Sequence, residues 1–241
     1  MPSVVNNMKL GTPINSAENQ ILLPLRHLYS AQRNAQKALE MSAYMKNNFP
    51  FYGIQSVLRK QLSKQYLQDY GEPDLPVMLR ACFNTHGREL QYFVGDWLKP
   101  KAKRLGPDIL PLLEELIMTQ SWWDTVDFLA PSIAGIILKA HPHLWSVYPD
   151  TWIEHENMWL RRSALLFQLK YKADTNDRTL FHYCQLCAHE KEFFIQKAMG
   201  WALRERSKTN PEAVLKFLSD TTLPKLTVRE AQKWLNRNPK G

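Results

Sequence analysis

The chain has 241 residues, enough to bury a sizeable hydrophobic core in a single domain. Hydrophobic residues make up 44% of it and charged residues 22%, which is an ordinary globular composition. Lysine and arginine outnumber aspartate and glutamate by 31 to 23, so the net charge of +8 favours nucleic acid or an anionic membrane surface as partner.

Three other properties narrow the class of protein. No segment approaches the roughly 18 apolar residues that a membrane-spanning helix needs, so we expect no membrane partner. Residues 1–16 are polar and lack the apolar core of a secretory signal. Three cysteines, an odd number, do not suggest a disulfide framework, and a reducing cytoplasm is the simplest location.

The sequence predicts an almost entirely helical chain. It has nine glycines and no run of alternating β-branched residues bounded by turn dipeptides, so the strand signal is absent. We expect residues 1–17 to form a flexible leader and residues 18–241 a single domain. Apolar spacing and proline positions predict helices at residues 17–33, 36–47, 56–68, 76–84, 87–103, 107–118, 121–139, 142–155, 157–171, 175–188, 191–207, 211–219 and 227–236.

A segment rich in tryptophan and aspartate begins one of these helices, at residues 121–127. Ser121 and Asp124 fit a capping box that satisfies the first free amides of the helix. Asp127 follows Trp123 by one turn and therefore lies on the same, largely apolar helix face. A carboxylate there needs a partner or a ligand. It either forms an ion pair with an arginine of a neighbouring helix or belongs to a functional site.

A loose internal repeat accompanies the helices. Residues 159–166 align with residues 194–201 at an offset of 35 residues, and residues 89–96 occupy the corresponding place three periods before the second copy. Each period holds two helices joined by a polar or proline-containing turn. Because one pair cannot bury its own apolar face, we expect the pairs to stack into a curved solenoid.

Basic residues concentrate on helices that the repeat makes equivalent. The first group is Arg161 and Arg162, the second is Lys197, Arg204, Arg206 and Lys208, and the last helix carries Lys225, Arg229, Lys233 and Arg237. A solvated face is the simplest interpretation of any single member. Together with Trp123 and Trp201, however, a concave basic surface suits a polyanion that carries flat bases.

Motifs of metal and cofactor chemistry are weak or missing. His182, Cys184, Cys187 and His189 resemble a metal cluster, but in a continuous helix the two histidines lie two turns apart and no second cysteine pair completes a zinc site. The sequence has no Walker loop, no dinucleotide-binding glycine pattern and no Gly-x-Ser-x-Gly elbow. We therefore expect neither a metal nor a cofactor.

Five motifs in order resemble the AlkD-type DNA alkylation repair glycosylases. They occupy residues 44–49, 51–55, 121–127, 159–171 and 191–205, and the resemblance extends over roughly residues 20–237. It implies an all-α, HEAT-like helical-repeat solenoid whose concave basic groove holds duplex DNA. The extra leader and the two cysteines at 184 and 187 depart from the family pattern, but neither departure affects the acidic or tryptophan positions.

The resemblance also implies roles for single residues. Asp127 matches the catalytic acid of the family, and Trp123 and Trp201 match its paired aromatic residues. The residues expected to contact DNA are Tyr44, Gln55, Arg161, Arg162, Lys197 and Arg204. The implied partner is double-stranded DNA with alkylated bases, bound by a monomer in the bacterial cytoplasm, where it would act on the nucleoid.

The implied activity is hydrolysis of the N-glycosidic bond of positively charged N3- and N7-alkylated purines, such as 3-methyladenine and 7-methylguanine. No motif indicates a Schiff-base lysine, so we expect a monofunctional glycosylase that leaves the strand intact. Two alternatives use the same fold. The protein could bind bent, branched or damaged DNA without catalysis, or it could be a protein adaptor that tolerates neutralisation of Arg162 and Arg204.

Overall fold

A computed structural model describes residues 16–238 of the chain. The predicted leader lies outside the described residues except for its last two, which begin the first helix. The fourteen α-helices of the described part are α1 (Ser16–Ala31), α2 (Ala35–Tyr44), α3 (Ser56–Tyr70), α4 (Leu75–Phe83), α5 (Arg88–Leu98), α6 (Leu110–Met118), α7 (Trp123–Leu129), α8 (Gly135–Ala140), α9 (Pro149–Glu154), α10 (Met158–Leu166), α11 (Asp177–Leu186), α12 (Phe193–Ser207), α13 (Pro211–Asp220) and α14 (Lys225–Leu235).

The prediction of an all-helical protein is confirmed, since residues 16–238 contain no strand. Within each compact unit the packed helices are consistent with the expected helical-repeat fold. Short 3₁₀ segments at Lys99–Arg104, Pro107–Ile109, Pro142–Leu144 and Lys172–Asp174 connect some of the helices. Within the same residues, no helix is long and apolar enough to cross a membrane.

The chain divides into two compact units, the first ending at Lys101 and the second beginning at Ala102. In unit 1, α1 packs against α3 and α4, and both of these pack against α5. Leu22, Leu25 and Tyr29 of α1 are fully buried in its core. The prediction of a single domain over residues 18–241 stays a prediction.

In unit 1 a buried carboxylate fixes the segment before α3. The side chain of Glu89 accepts hydrogen bonds from the backbone amides of Tyr52 (3.0 Å), Gly53 (2.8 Å) and Ile54 (3.0 Å). Such a segment has no helical partners for its amides, and burying them unsatisfied would be costly. Glu89 therefore determines where the chain enters α3.

Unit 2 is organised around α10 and α12. Helix α10 packs against α6, α7, α9, α11 and α12, and α12 packs against α11, α13 and α14. Leu160 and Leu166 of α10 and Ile195, Met199 and Leu203 of α12 are fully buried between these helices. The contact of α10 with α12 brings together the two segments that the 35-residue offset relates in the sequence.

Residues 123–140 are helical throughout, in agreement with the helix predicted over residues 121–139, but they do not form one regular α-helix. A π-helical segment, Ala130–Ala134, separates α7 from α8. Pro131 has no N–H to donate to the carbonyl of Asp127, and its ring would clash with that carbonyl in a regular α-helix. The wider π turn accommodates the proline, and such turns occur often at functional sites.

The capping box predicted at the start of α7 is wrong. Trp122, and not Ser121, is the residue before α7, and its side chain makes no capping hydrogen bond. The hydroxyl of Ser121 instead donates to the backbone oxygen of Ile117, 2.7 Å away, at the end of α6. Ser121 thus closes the preceding helix.

Two further predicted helices are shorter than expected. The segment 87–103 is α-helical as Arg88–Leu98 and then continues as a 3₁₀ segment. The segment 142–155 forms an α-helix as Pro149–Glu154. In the first segment Pro100 lacks a backbone donor, so the regular hydrogen-bond pattern stops there. In the second, Pro149 begins the α-helix, where its missing N–H costs nothing.

Candidate active site

A cleft of about 280 Å³ opens in unit 2 between α7, α10, α12 and α14. This volume is just below the range for small-ligand pockets, about 300–1,000 Å³. Its lining consists of Trp123, Asp127, Arg162, Phe193, Phe194, Lys197, Trp201, Arg204 and Glu230. Six of these nine residues are among the site residues predicted from the sequence; Phe193, Phe194 and Glu230 are not.

The carboxylate of Asp127 is held by a bidentate ion pair. Nε and Nη2 of Arg162 donate to its two oxygens, each at 2.8 Å. Nη1 of the same arginine donates to the backbone oxygen of Phe194, at the start of α12. Arg162 therefore connects α7, α10 and α12, and the two parallel bonds fix the orientation of the carboxylate.

This ion pair bears on two expectations. The pairing of Asp127 with an arginine of a neighbouring helix is one of the two interpretations that the sequence allows, and the structure contains it. The carboxylate side chain nevertheless keeps 17% of its surface exposed and lines the cleft, whereas the Arg162 side chain is only 5% exposed. In this structure Arg162 holds the acid and does not present its guanidinium to the surface.

Opposing influences act on the acidity of Asp127. Burial raises the pKa of its carboxyl above the ordinary value, although the hydrogen bonds and positive charge of Arg162 lower it. The carboxylate of Asp124 contributes a smaller increase in the pKa. A carboxyl with a raised pKa is a stronger base once ionised, which suits it to accept a proton or to stabilise an adjacent positive charge.

Aromatic side chains form the walls of the cleft. Trp123 and Trp201 are partly exposed and face it from α7 and α12. Trp122, Trp159 and Phe194 pack together, with ring centroids 5.1–5.8 Å apart, and Phe194 also lines the cleft. Indole faces attract cations through their quadrupole, so the walls favour a flat, positively charged ligand.

A second carboxylate, Glu230 of α14, lies at the other side of the cleft. It accepts hydrogen bonds from Lys197 Nζ at 2.8 Å, Lys233 Nζ at 2.7 Å and Arg204 Nη1 at 3.2 Å, and it is 5% exposed. Although desolvation opposes ionisation, the bonds and charges of Lys197 and Lys233 lower its pKa to about 2. Glu230 is therefore a permanent anion at neutral pH.

Close packing at Gly200 brings Glu230 to the cleft. A Cβ atom at this position of α12 would lie 2.5 Å from Cβ of Glu230 and 2.8 Å from the backbone oxygen of Thr227. Glycine is thus needed for α14 to approach α12 this closely. The hydroxyl of Thr227 adds a bond to the backbone oxygen of Gln196, at 3.1 Å.

The other predicted site residues do not line the cleft. Arg161 forms an ion pair with Glu190 at 2.8 Å and donates to the backbone oxygens of His155 and Glu156. Tyr44 ends α2 and is 70% exposed, and Gln55 is exposed immediately before α3. The last two residues belong to unit 1, so a role of theirs in DNA binding stays a prediction.

Arg206 does not belong to the basic surface with which the sequence groups it. Its guanidinium is buried in an ion pair with Asp177 and also donates to the backbone oxygen of Lys172. The expectation that it faces a polyanion is wrong, because one helix carries cations on more than one face. Arg206 joins the α11 region to α12.

The region that resembles a metal cluster in the sequence is part of the packed interior. Cys184 and Cys187 are buried, and burial raises the pKa of both thiols, so they stay protonated and unreactive. Across residues 16–238, no group of three or more histidine, cysteine or acidic side chains is placed to hold a metal ion.

Two comparisons with known proteins gave matches. The model of a family described as DNA alkylation repair enzyme matches residues 25–235. A solved structure described as a predicted DNA alkylation repair enzyme from Enterococcus faecalis is 34% identical in sequence, with a TM-score of 0.78, over 84% of this chain and 96% of that chain. No curated protein gives a significant match. The chain belongs to the DNA alkylation repair enzyme family.

Proposed function

We propose that the protein is an AlkD-type monofunctional DNA glycosylase that excises cationic N3- and N7-alkylated purines from duplex DNA. One observation carries the proposal: Asp127, a carboxylate oriented by Arg162, lines a cleft between the indoles of Trp123 and Trp201. An oriented anion between two aromatic walls suits a substrate that is flat and positively charged. The family membership supplies the link to alkylated DNA.

The chemistry of the substrate explains why so few groups are sufficient. Alkylation at N3 or N7 places a positive charge on the purine, which makes the base a good leaving group. Breaking the bond between C1′ and the base nitrogen leaves the electron pair on the base and develops oxocarbenium character on the sugar. The Asp127 carboxylate stabilises that charge and accepts a proton from the water that attacks C1′.

The tryptophans contribute selectivity as well as affinity. Cation–π contacts of Trp123 and Trp201 with the charged nucleotide are each worth roughly 0.5–2 kcal/mol, depending on desolvation. A neutral purine gains neither this attraction nor the easy departure of the base. We therefore expect cationic lesions to be released and unmodified bases to be left in place.

The experiment is an analysis of products from duplex DNA treated with a methylating agent. The proposal requires free 3-methyladenine and 7-methylguanine, an abasic site and an intact strand. Strand cleavage, or a borohydride-trapped covalent adduct with the protein, would contradict the monofunctional reaction. Salt-sensitive binding without release of any base would favour the non-catalytic DNA-binding alternative.

A further inference from the structure

The cleft has to satisfy two ligands of opposite charge, if the proposed function holds. The DNA backbone is anionic and is bound by cations, whereas the alkylated purine is itself a cation. The charged groups that line the cleft are three cations, Arg162, Lys197 and Arg204, and two carboxylates, Asp127 and Glu230. Their net charge is therefore +1.

The two carboxylates balance different cations. Asp127 is paired with Arg162 on the α7 and α10 side of the cleft. Glu230 accepts from Lys233, which does not line the cleft, at 2.7 Å. From the lining itself it receives Lys197 at 2.8 Å and Arg204 at 3.2 Å, on the α12 and α14 side. Both of these cations keep part of their surface exposed, 36% for Lys197 and 27% for Arg204, so they can also meet a phosphate.

Neutralising Glu230 would leave this second side without an anion. The lining would then carry +2, with two cations close to the indole of Trp201. In a partly desolvated cleft, Lys197 and Arg204 would repel a cationic base. They would not repel a neutral base. A phosphate would be attracted more strongly.

We propose that Glu230 is a specificity-determining residue, which allows a cationic nucleobase to enter by balancing the charge of Lys197 and Arg204. Its surroundings suit this role. The carboxylate is nearly buried, stays ionised at neutral pH, and is brought to the cleft by the close approach of α14 at Gly200. The inference rests on the proposed function, because it takes the cationic purine as the ligand.

The test compares two duplexes that differ in one atom of one base. One contains 7-methylguanine on a 2′-fluorinated sugar, which resists glycosidic cleavage. The other contains 7-methyl-7-deazaguanine on the same sugar, which has the same shape but no positive charge. The measured quantity is the ratio of their dissociation constants at fixed salt concentration.

We expect the wild-type protein to prefer the cationic duplex. Glu230→Gln should reduce that preference by roughly three- to thirtyfold. Its affinity for the neutral duplex should be unchanged or higher, because a phosphate meets one more unbalanced cation. Glu230→Asp keeps the charge and should keep most of the preference.

The double variant Glu230→Gln/Arg204→Gln separates charge from structure. It returns the net charge of the lining to +1, so the preference for the cationic duplex should recover while the affinity for both duplexes falls. A purely structural role of Glu230 predicts the opposite: weaker binding of both duplexes in the single variant, and a still poorer double variant.

Two results would overturn the inference: no preference in the wild type, or an unchanged preference in Glu230→Gln. The proposed function is tested separately with the unfluorinated duplex. A wild-type protein that shows the charge preference but releases no base would remove the glycosylase proposal and keep the role of Glu230. Release of the base with an unchanged preference in Glu230→Gln would keep the glycosylase proposal and remove the role of Glu230.

Discussion

Among the single residues of the cleft, Arg162 controls the ionisation of Asp127. Burial disfavours the carboxylate, and the bidentate pair with Arg162 opposes this effect. The pair with Arg162 therefore favours the ionised form, while burial keeps the pKa of the carboxyl above its ordinary value. Such a group is both anionic and basic, which is what the proposed reaction requires.

Replacing Arg162 with glutamine should raise the pKa of Asp127 further, because the influences that lower it disappear while burial remains. At low pH the excision rate falls as Asp127 becomes protonated, which gives the pH profile an acid limb. This acid limb should therefore move to higher pH. The loss of stability should be about 3–5 kcal/mol where Asp127 is ionised, and smaller at low pH, where the unpaired carboxyl is neutral. Rates and denaturant unfolding measured across pH check both effects.

The matched control for this variant is Arg161→Gln, on the same helix. Arg161 pairs with Glu190 and does not contact Asp127, so the acid limb of the rate should stay where it is in the wild type. An acid limb that does not move in Arg162→Gln would mean that Arg162 has no influence on the reacting carboxyl.

Glu230 should stabilise the protein in a defined pH window. Its pKa is lowered to about 2 in the folded state from an ordinary value of 4.5, so its contribution is present above pH 4.5 and is lost as the pH falls through about 2. Its cationic partners are partly exposed and keep some hydration. We therefore expect Glu230→Gln to cost about 1–2 kcal/mol at pH 7.

Chemical unfolding of wild type and Glu230→Gln at several pH values measures this contribution. The difference between the two proteins should be constant from pH 7 to about 5 and should shrink below that. A difference that stays the same down to pH 2 would show that the loss comes from packing and not from the charge.

The close contact of α12 with α14 is the decisive feature at the scale of elements. Gly200 sits where the two helices approach, and the residues on either side of it in the sequence include Lys197, Trp201 and Arg204. Two helices that pack around a glycine can approach each other more closely than the usual interaxial distance of 8–10 Å. Their side chains then lie closer together. The α14 side of the cleft depends on this approach.

Gly200→Ala should push α14 away from α12, because the added Cβ would lie 2.8 Å from a backbone oxygen that cannot rotate out of the way. Overpacking of this kind costs about 1–3 kcal/mol, in spite of the better helix propensity of alanine. The thermal unfolding temperature should fall, and the preference for the cationic duplex should fall with it. An unchanged or higher unfolding temperature would contradict the close packing.

The sequence predicts the helical elements well but not how they are interrupted. Apolar spacing identifies α10 and α12, which pack against each other in the structure. It does not reveal the π-helical turn, because Pro131 is compatible with a helix end as well as with a widened turn. The role of Ser121 is missed for a similar reason, since a hydroxyl can cap either of two adjacent helix ends.

The candidate site could be predicted only in part, because one side of it depends on how two helices pack. Asp127 and the two tryptophans are recognisable because they lie in motifs that resemble a known family, and the structure brings them to one cleft. Glu230 depends on the approach of two helices, which composition and periodicity do not report. One signal exists: Glu230 follows Lys197 by 33 residues, close to the repeat, and lies inside the basic stripe of the last helix.

The excess of positive charge acts at the scale of the whole molecule. With a net charge of +8, the protein should bind duplex DNA with an affinity that falls steeply as the salt concentration rises, because phosphate contacts release counterions. Each phosphate contact contributes about −0.9 to the slope of log affinity against log salt.

Lys197→Gln should therefore reduce the magnitude of the slope by about 1, if this side chain meets a phosphate. Lys216→Gln is the control, since this exposed lysine of α13 pairs with Asp220 and does not line the cleft. Binding that is insensitive to salt in the wild type would favour a protein adaptor over a DNA-binding protein.

The most direct test of the role of Asp127 is the single-turnover release of 7-methylguanine from a duplex by wild type, Asp127→Asn and Asp174→Asn. Asp174 is an exposed carboxylate of the same unit that pairs with Lys139, so its variant carries the same chemical change outside the cleft. We expect Asp127→Asn to lose about 10²–10⁴-fold in rate while still binding the duplex, and Asp174→Asn to match the wild type. Equal rates in all three proteins would contradict the assignment of Asp127 as the catalytic carboxylate.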